Sequence, residues 1–383
     1  MFDIERVREE FAFVGESIYL NNAATTPLAK RVIDAMNEHL TQRNGINVNN
    51  WDWILERKEE LRILFGQIIN AEPERIAILG NTTQGINTIV AGLDWEEGDE
   101  VLLPENEFPA NVYPFLNLER KGVVIRFLRT PDGGLTPDIL EENITERTKL
   151  LAMSFVEFLS GYKADLERIG RICRERGIIF FVDGIQGIGV LPFDVKKYNV
   201  DALACGGHKW LMCPQGVGFL YVTEELQEKV NQMFVGWLSV ETPDDFLNYR
   251  QSLARGARRY ELGSFNSAGV AGAVEALKML LGLGVEVVSS YTMSLVDRIY
   301  EGICEDGLVL YSNRDERYRS AIVTFYPQEK DKTEQLINYL KSNNIEVSLR
   351  EGMVRVSPHF YNTFEEIDKF LRLCREFIGE ERK

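Results

Sequence analysis

The chain has 383 residues, 45% of them hydrophobic, so it can bury the core of one large domain and of a second, smaller one. Its 59 acidic residues outnumber 43 basic ones, and the formal net charge of −16 argues against nucleic acid or an anionic membrane as a partner. Five cysteines without a C-x-x-C pair argue against a disulfide framework and a structural zinc site, and no metal is expected.

Targeting and membrane signals are not visible in the sequence. The first ten residues are charged and lack the apolar stretch of a signal peptide. No apolar run reaches the roughly 18 residues that span a bilayer. We therefore expect a soluble protein of the reducing cytoplasm.

Along the first two thirds of the chain, apolar runs typical of strands alternate with helical patterns. Strands are predicted at 76–79, 100–103, 123–127, 150–156, 178–182, 202–204 and 217–222, and helices from 84, near 110 and over 164–176. Such alternation predicts an α/β fold with a mostly parallel sheet wrapped by helices. We assign residues 15–265 to this large domain.

The pattern changes after about residue 265. Helices are predicted at 271–283 and 285–304, a strand at 321–326, a helix ending near 341, strands at 345–349 and 353–356, and a last helix from 363. Asp331 with Glu334, and Thr363 with Glu366, have the spacing of helix capping boxes. Glu351-Gly352 is typical of a hairpin turn. These elements predict a small α+β domain made of residues 266–383, against which residues 1–14 pack.

Two chemically useful side chains follow neighbouring predicted strands. Asp183 ends a buried strand, and Lys209 comes 26 positions later, after another short strand. Ligands of open α/β sheets bind at the carboxyl ends of strands, so both side chains are candidates for one crevice. A lysine there can form a Schiff base with a carbonyl, and an aspartate can pair with a cation. On spacing alone, a turn-capping Asp183 and a solvated Lys209 fit equally well.

A second segment suits an anion. Residues 80–85 (GNTTQG) lie between a predicted strand and a helix start, where free backbone amides, the hydroxyls of Thr82 and Thr83, and the helix dipole favour a phosphate. An ordinary helix N-cap explains the same residues. The glycines at 184, 187 and 189 are in the wrong order for a dinucleotide-binding fingerprint.

Taken together, these motifs resemble the class V aminotransferase family of fold-type I pyridoxal-phosphate enzymes. That family includes cysteine desulfurases, selenocysteine lyases and isopenicillin epimerase-like proteins. The resemblance runs from residues 19–25 (YLNNAAT) to residues 355–363 (RVSPHFYNT), nearly the whole chain. It implies a large pyridoxal-phosphate-binding domain and a smaller α+β domain, and a homodimer with shared active sites.

The resemblance assigns the cofactor's reactive end. Lys209 matches the Schiff-base lysine and Asp183 matches the partner of the pyridine nitrogen. A carboxylate there keeps that nitrogen protonated, so the ring can accept electrons from the substrate's Cα. Gln186 matches the residue that hydrogen-bonds the ring's phenolic oxygen.

The resemblance also assigns the phosphate. Thr82 and Thr83 match the phosphate cradle, and His208 matches a phosphate ligand beside the lysine. Ser264, in residues 261–264 (ELGS), matches a hydroxyl that reaches the phosphate from a partner subunit.

Substrate contacts are implied in the same way. Arg355 matches the arginine that clamps the substrate α-carboxylate, for which a planar bidentate fork is suited. Asn22 and Ala24 are substrate-binding candidates. Further pocket candidates, each of which a core position explains as well, are Trp51, Trp53, Tyr113 and His359.

Three positions depart from the desulfurase pattern. Phe108 stands where desulfurases usually have a histidine stacked on the cofactor; a phenyl ring can stack but cannot relay protons. Gly206 replaces a hydroxyl near the phosphate, and Phe158 lies close to where many members have an asparagine.

The largest departure concerns the sulfur-accepting cysteine. Desulfurases carry it on a loop before the carboxylate-binding arginine, but residues 347–355 (VSLREGMVR) contain no cysteine. We therefore predict an enzyme that acts on a small amino acid as an aminotransferase or C–S lyase. A cysteine desulfurase with an unusual nucleophile, an amino-acid epimerase and a non-catalytic cofactor-binding regulator are the alternatives.

Overall fold

The computed structural model describes residues 3–45, 47–303 and 307–381. Its helices are α1 (Ile4–Arg8), α2 (Lys30–Arg43), α3 (Trp51–Ile69), α4 (Thr82–Gly92), α5 (Tyr113–Leu116), α6 (Pro137–Asn143), α7 (Leu166–Arg176), α8 (Glu224–Lys229), α9 (Ser267–Leu283), α10 (Val285–Ile303), α11 (Thr333–Ser342) and α12 (Phe364–Glu381). Its strands are β1 (Ile18–Tyr19), β2 (Ile76–Leu79), β3 (Glu100–Pro104), β4 (Val124–Leu128), β5 (Thr148–Ser154), β6 (Ile179–Asp183), β7 (Ala202–Gly206), β8 (Gly218–Val222), β9 (Leu308–Leu310), β10 (Val323–Pro327), β11 (Ile345–Glu346), β12 (Ser348–Arg350) and β13 (Met353–Val356). Two predictions extend outside the described residues: the helix predicted to end at Cys304, and positions 1 and 2 of the predicted N-terminal segment.

The large sheet has seven strands in the order β2-β8-β7-β6-β5-β3-β4. Strands β3 to β7 run parallel to one another, whereas β8 is antiparallel to both β2 and β7. The predicted α/β fold with a mostly parallel sheet is therefore confirmed.

Strand β6 shows why its sequence is apolar throughout. Phe180 and Val182 pack into the core on one face of the sheet, and Phe181 packs into a separate core on the other face. A strand covered by helices on both faces has no solvent side, so it has no polar alternation.

The strand ends place the site. Ser154, Asp183 and Ala204 lie in register across β5, β6 and β7. At the same edge Leu79 pairs with Gly218, which pairs with Gly206, so the turn from β2 into α4 lies beside the turn that follows β7. Segments far apart in sequence therefore meet at one sheet edge.

A four-stranded antiparallel sheet, β12-β13-β10-β9, lies in the C-terminal part of the chain. A third core joins it to α10, α11 and α12. The N-terminal segment contacts the same region: Arg8 Nη2 lies 2.8 Å from Glu366 Oε1, and β1 pairs with β11 in parallel. The proposed boundaries at 14 and 265 stay a prediction.

The two predicted capping boxes have different outcomes. Before α12, the Glu366 amide donates to Thr363 Oγ1 and the Thr363 amide donates to Glu366 Oε2, which confirms that box. The box at Asp331 is wrong, because Asp331 lies in a 3-10 turn and α11 begins later, after Lys332 and without a side-chain cap.

The predicted hairpin between β12 and β13 is confirmed. Glu351 and Gly352 have φ values of 48° and 73°, the left-handed pair that a two-residue type I′ turn requires. The turn pairs Arg350 with Met353 and Ser348 with Arg355.

Among the described helices, none has by itself the length and apolarity needed to span a membrane. Helices α9 and α10, which meet at 78°, satisfy that criterion only as a bent pair.

Candidate active site

A cavity of about 290 Å³ lies at the carboxyl ends of β6 and β7. Among residues named from the sequence, it is lined by Ala24, Thr82, Thr83, Phe108, Phe158, Asp183, Gln186, His208, Lys209 and Arg355. The other lining residues are Ala23, Asn81, Ala110, Ile185 and Arg350. The fold thus brings together side chains that the sequence separates by more than 300 positions.

Asp183 supplies the buried negative charge of the cavity. It is the last residue of β6, is 2% exposed, and accepts a hydrogen bond of 2.9 Å from the amide of Ile185. Burial raises the pKa of Asp183 to about 6, against the opposing effects of that hydrogen bond and of Lys209. A carboxylate held this way favours a cationic partner in the cavity.

Lys209 lies in the turn that follows β7. The turn is closed by a hydrogen bond of 2.8 Å, in which the Met212 amide donates to the Lys209 carbonyl. Burial lowers the pKa of Lys209 to about 8, Asp183 acts in the opposite direction, and Arg355 and Arg350 lower it further. Roughly a tenth of the amine is therefore neutral near pH 7, and the neutral amine is the nucleophilic and basic form.

The first turn of α4 forms one wall. Amides in the first turn of a helix have no partner within the helix, and here the buried hydroxyl of Thr82 also has no hydrogen-bond partner in the described chain. A Cβ on Gly206 would lie 3.1 Å from Thr82 Oγ1 and 3.4 Å from His208 Cε1. The nearest atom would be Ile185 Cδ1 at 2.9 Å, so a side chain at position 206 would crowd this wall, and glycine fits there without displacing Ile185, Thr82 or His208.

Gln186 is held from both ends of its amide. Nε2 donates to the Ala23 carbonyl at 3.1 Å, and Oε1 accepts from Trp210 Nε1 at 3.0 Å. An amide nitrogen carries two protons, so one donor remains for a ligand.

Phe108 lines the cavity from the segment that follows β3. Its ring meets Phe158 edge-on, with centroids 5.3 Å apart, and Lys209 Nζ lies 5.7 Å from its centroid. The ring is 45% exposed, so one surface is available to an aromatic ligand.

Two arginines face the cavity from the β12–β13 hairpin. Arg355 is 2% exposed, and its Nη1 donates to the Phe158 carbonyl at 2.8 Å, while its buried Nε has no acceptor within the described residues. Burial and Arg350 lower the pKa of Arg355 to about 9. Arg350 was missed in the sequence, because only the hairpin register places it beside Arg355.

Two predicted site residues do not line this cavity. Ser264 is exposed. Asn22 is fully buried, with Nδ2 donating to the Ser357 carbonyl at 2.8 Å and Oδ1 accepting from the Tyr361 hydroxyl at 2.5 Å. Its polar atoms therefore tie the N-terminal segment to the chain after β13 and do not face a substrate.

The remaining pocket candidates lie outside the cavity, and three of them have aromatic contacts elsewhere. Trp51 stacks on Trp237, and Trp53 stacks on His39. Tyr113 is 68% exposed, and His359 is buried against Trp210. None of the four lines the cavity.

Two buried glutamates near Asp183 were not recognised in the sequence. Glu107 accepts hydrogen bonds from the amide and the hydroxyl of Ser154 and from Asn111. The carboxylate of Glu157 has no partner in the described part of the chain. Burial raises the pKa of Glu107 to about 7 and that of Glu157 well above its usual range. Only three-dimensional proximity reveals them, since glutamates in loops are usually solvated.

The described cysteines are Cys173, Cys205, Cys213 and Cys374, and all four are buried. Burial raises the pKa of the Cys205 and Cys213 thiols, the two nearest to Lys209 in sequence. Neither lines the cavity. Thiols of this kind are poor nucleophiles, because the reactive form is the thiolate.

Comparisons with known proteins agree with the fold. The family model described as aminotransferase class-V matches residues 18–370. A probable cysteine desulfurase of Pyrococcus abyssi is 29% identical, over 98% of this chain and 97% of that protein. The solved apo structure of a cysteine desulfurase from Thermococcus onnurineus NA1 has a TM-score of 0.91 at 27% identity, covering 99% of both chains. The complex of the cystine C–S lyase C-DES with cysteine persulfide shares the fold, with a TM-score of 0.88 at 23% identity, over 95% of this chain and 99% of that one.

The cofactor is pyridoxal phosphate, and the cavity fits it. The unpartnered hydroxyl of Thr82 at a helix N-terminus can donate to an anion, the buried carboxylate of Asp183 favours a cation, and the weakly basic amine of Lys209 can attack a carbonyl. Pyridoxal phosphate has a phosphate, a protonated ring nitrogen and an aldehyde, which are complementary to Thr82, Asp183 and Lys209 in that order.

Proposed function

Because this chain belongs to the class-V aminotransferase family, we propose that it is a pyridoxal-phosphate enzyme that acts on a small amino acid as an aminotransferase or a carbon–sulfur lyase. The observation that carries the proposal is the convergence of Asp183, Lys209 and Arg355 on one cavity. A cofactor-binding regulator requires neither a free base nor a clamp for a carboxylate.

We assign the cofactor-binding roles as follows. Asp183 meets the ring nitrogen, Gln186 donates to the phenolic oxygen, and Phe108 covers one ring face. The phosphate is held by Thr82, Thr83 and His208, at the first turn of α4. The bound cofactor withdraws electrons from the substrate's Cα and so acidifies its proton.

Lys209 is the proposed catalytic base. Its amine takes the α-proton, since burial and two neighbouring guanidinium groups keep a fraction of it neutral. Arg355 holds the α-carboxylate through Nε and Nη2, because Nη1 is engaged by the Phe158 carbonyl. Return of a proton to a different carbon gives transamination, and departure of a Cβ substituent gives a lyase.

The relatives named as cysteine desulfurases make that activity the second candidate. It is disfavoured because β12 and β13 are joined by the two residues Glu351 and Gly352, which leaves no loop to carry a thiol into the cavity. We propose that any sulfur removed by this enzyme leaves as a free product and not as an enzyme persulfide.

The test uses purified holoenzyme and Lys209→Ala, with Lys229→Ala as a matched surface control. Alanine, aspartate, cysteine and cystine are offered, and pyridoxamine phosphate, pyruvate and sulfide are measured. We expect turnover by wild type and Lys229→Ala, and a loss of about 100- to 10,000-fold in Lys209→Ala. Mass spectrometry of all five cysteines after turnover should find no persulfide; a persulfide formed at the rate of turnover favours the desulfurase.

We further propose that the enzyme is a homodimer in which Ser264 serves the cavity of the second copy. An exposed apolar surface is formed by two segments that meet at the Trp237 and Phe246 rings, whose centroids are 6.5 Å apart. Its side chains are Met233, Phe234, Val235, Trp237, Phe246, Leu247 and Tyr249. Leu247 and Tyr249 are 82% and 84% exposed, which is costly unless another protein surface covers them. Ser264 lies next to this surface, since a Cβ on Gly263 would be 3.2 Å from Trp237 Nε1.

Sedimentation velocity tests the dimer. Phe246→Asp with Leu247→Asp should convert a dimer to a monomer, whereas Val287→Asp, at another exposed apolar position on α10, should not. Ser264→Ala should leave the dimer intact and weaken cofactor binding. A wild type that sediments as a monomer would contradict the proposal.

A further inference from the structure

Arg350 and Arg355 project from the same face of the small sheet. Ser348 is opposite Arg355 and Arg350 is opposite Met353 in the β12–β13 pairing. Side chains two positions apart on a strand share a face, so Arg350 and Arg355 are diagonal neighbours across the two strands. The two-residue turn fixes this register, because a slip of one residue would turn Arg350 to the other face.

These two cations lack anionic partners of their own. Within residues 3–45, 47–303 and 307–381, neither guanidinium forms an ion pair with a carboxylate. Arg350 makes one hydrogen bond, from Nη1 to the Leu349 carbonyl at 2.8 Å. Two like charges held side by side at a cavity wall repel each other, and bound anions relieve that repulsion.

Most of the ionic side chains that line the cavity are basic. Its ionic lining consists of Asp183 on one side and Lys209, Arg350 and Arg355 on the other. In the proposed function, Asp183 meets the cofactor's ring nitrogen and the cofactor phosphate lies at the first turn of α4. One α-carboxylate then satisfies Arg355, and Arg350 is left facing the substrate's side chain.

We propose that Arg350 is a specificity residue that binds a second anionic group on the substrate, so the preferred substrates are amino acids with an acidic side chain. The groups of suitable chemistry are a carboxylate, a sulfinate or a sulfonate one or two carbons from Cα, each of which accepts a bidentate guanidinium. This inference rests on the proposed function, since it assigns the α-carboxylate to Arg355.

Binding of unreactive acids to the holoenzyme tests the inference without requiring turnover. Succinate carries two carboxylates and propionate carries one, and isothermal titration calorimetry gives the Kd of each. We expect wild type to bind succinate about 10- to 100-fold more tightly than propionate, the range for a charged hydrogen-bonding pair. Arg350→Gln should lose that preference while its Kd for propionate stays the same.

Two further variants separate a specific role from a structural one. Arg350→Lys keeps the charge without the planar fork and should retain part of the preference. Arg372→Gln, on the exposed face of α12 with 61% of its side chain accessible, should behave as wild type. The inference is overturned if wild type binds succinate and propionate equally, or if Arg350→Gln weakens both to the same degree.

Turnover assays then show which acidic side-chain group the substrate carries. They also separate a failure of this inference from a failure of the proposed function. Aspartate, cysteine sulfinate and cysteate are compared with alanine by kcat/KM in wild type and Arg350→Gln. An Arg350-dependent preference for one or more of the acids supports the inference. If no amino acid reacts but the Arg350-dependent preference for succinate holds, the proposed function fails and the second anion subsite stands.

Discussion

Asp183 and Lys209 lie at the ends of adjacent parallel strands, β6 and β7, and each partly offsets the cost of burying the other's charge. Burial alone neutralises both groups: it raises the pKa of the carboxyl and lowers that of the amine. Their mutual attraction acts in the opposite direction on each. Together with the Ile185 amide that donates to Asp183 and the two arginines near Lys209, it leaves pKa values of about 6 and about 8. Between these values the acid is mostly ionised while part of the amine is already neutral.

Replacement of the acid tests its electrostatic role. Asp183→Asn keeps the shape of the side chain but removes the charge that would hold a protonated ring nitrogen. We expect the single-turnover rate with amino acid to fall by about 100- to 1,000-fold, as when one preorganised electrostatic partner is removed. The control is Asp138→Asn, at an exposed position in the first turn of α6. Full activity in Asp183→Asn would show that the nitrogen needs no carboxylate.

The pH dependence of cofactor capture tests the pKa of Lys209. Only the neutral amine attacks the aldehyde, so the capture rate of apoprotein should rise with pH and level off above about 8. Asp183 raises that pKa and Arg350 lowers it. The midpoint should therefore move to lower pH in Asp183→Asn and to higher pH in Arg350→Gln. Stopped-flow absorbance gives the rates, and shifts of the same sign in both variants would contradict this account.

His359 should make the protein sensitive to acid. Burial lowers its pKa to about 3, whereas the unfolded chain binds the proton near its ordinary 6.5. Since the unfolded state binds more protons between these values, stability is lost as pH falls through this window, by about 1.4 kcal/mol per pH unit. His359→Asn can still accept a hydrogen bond from the Phe360 amide, and the stability of this variant should lack that pH dependence.

Urea unfolding at a series of pH values from 7 to 4 gives the free energy of unfolding of wild type and of His359→Asn. The stability difference between wild type and His359→Asn should be constant near pH 7 and should change steadily below 6.5. A parallel pair of curves would mean that His359 titrates normally in the folded protein.

Glu261 should be important for stability. Its carboxylate lies 2.5 Å from Lys58 Nζ and 2.8 Å from Arg62 Nη1, and it accepts from the Ile78 amide at 2.8 Å, all in buried surroundings. Glu261→Gln leaves two buried cations without their shared anion, which costs about 3–5 kcal/mol of unfolding free energy. Glu241→Gln removes an exposed partner of Arg255 and should change little. Equal effects of the two substitutions would contradict this.

The same contact positions Ser264, three residues further along the chain. Through its hydrogen bond with the Ile78 amide, Glu261 holds the segment of residues 261–264 against β2, and β2 leads into the first turn of α4. Cofactor affinity of Glu261→Gln, measured under conditions where the variant is folded, should fall together with that of Ser264→Ala.

Several features could be predicted because they depend on neighbours in sequence. The apolar run that became β6, the hairpin at Glu351-Gly352 and the cap formed by Thr363 and Glu366 are all local patterns. The same reasoning failed at Asp331, where a 3-10 turn delays the helix and Lys332 takes the N-cap position. Capping residues compete with tertiary packing, and a spacing rule does not include that competition.

The sequence by itself indicated the alternation of strands and helices, and it made Asp183 and Lys209, which follow successive predicted strands, candidates for one crevice; the pairing of β6 with β7 is what places them together. The sequence also excluded a thiol between positions 347 and 355. The tertiary structure alone decided that Arg350 joins Arg355 at the cavity, that Asn22 is tied to Tyr361, and that Glu107 and Glu157 lie buried near Asp183. The physical reason is that strand register and the order of strands in the sheet decide which side chains meet. Both result from packing between segments that are remote in the chain.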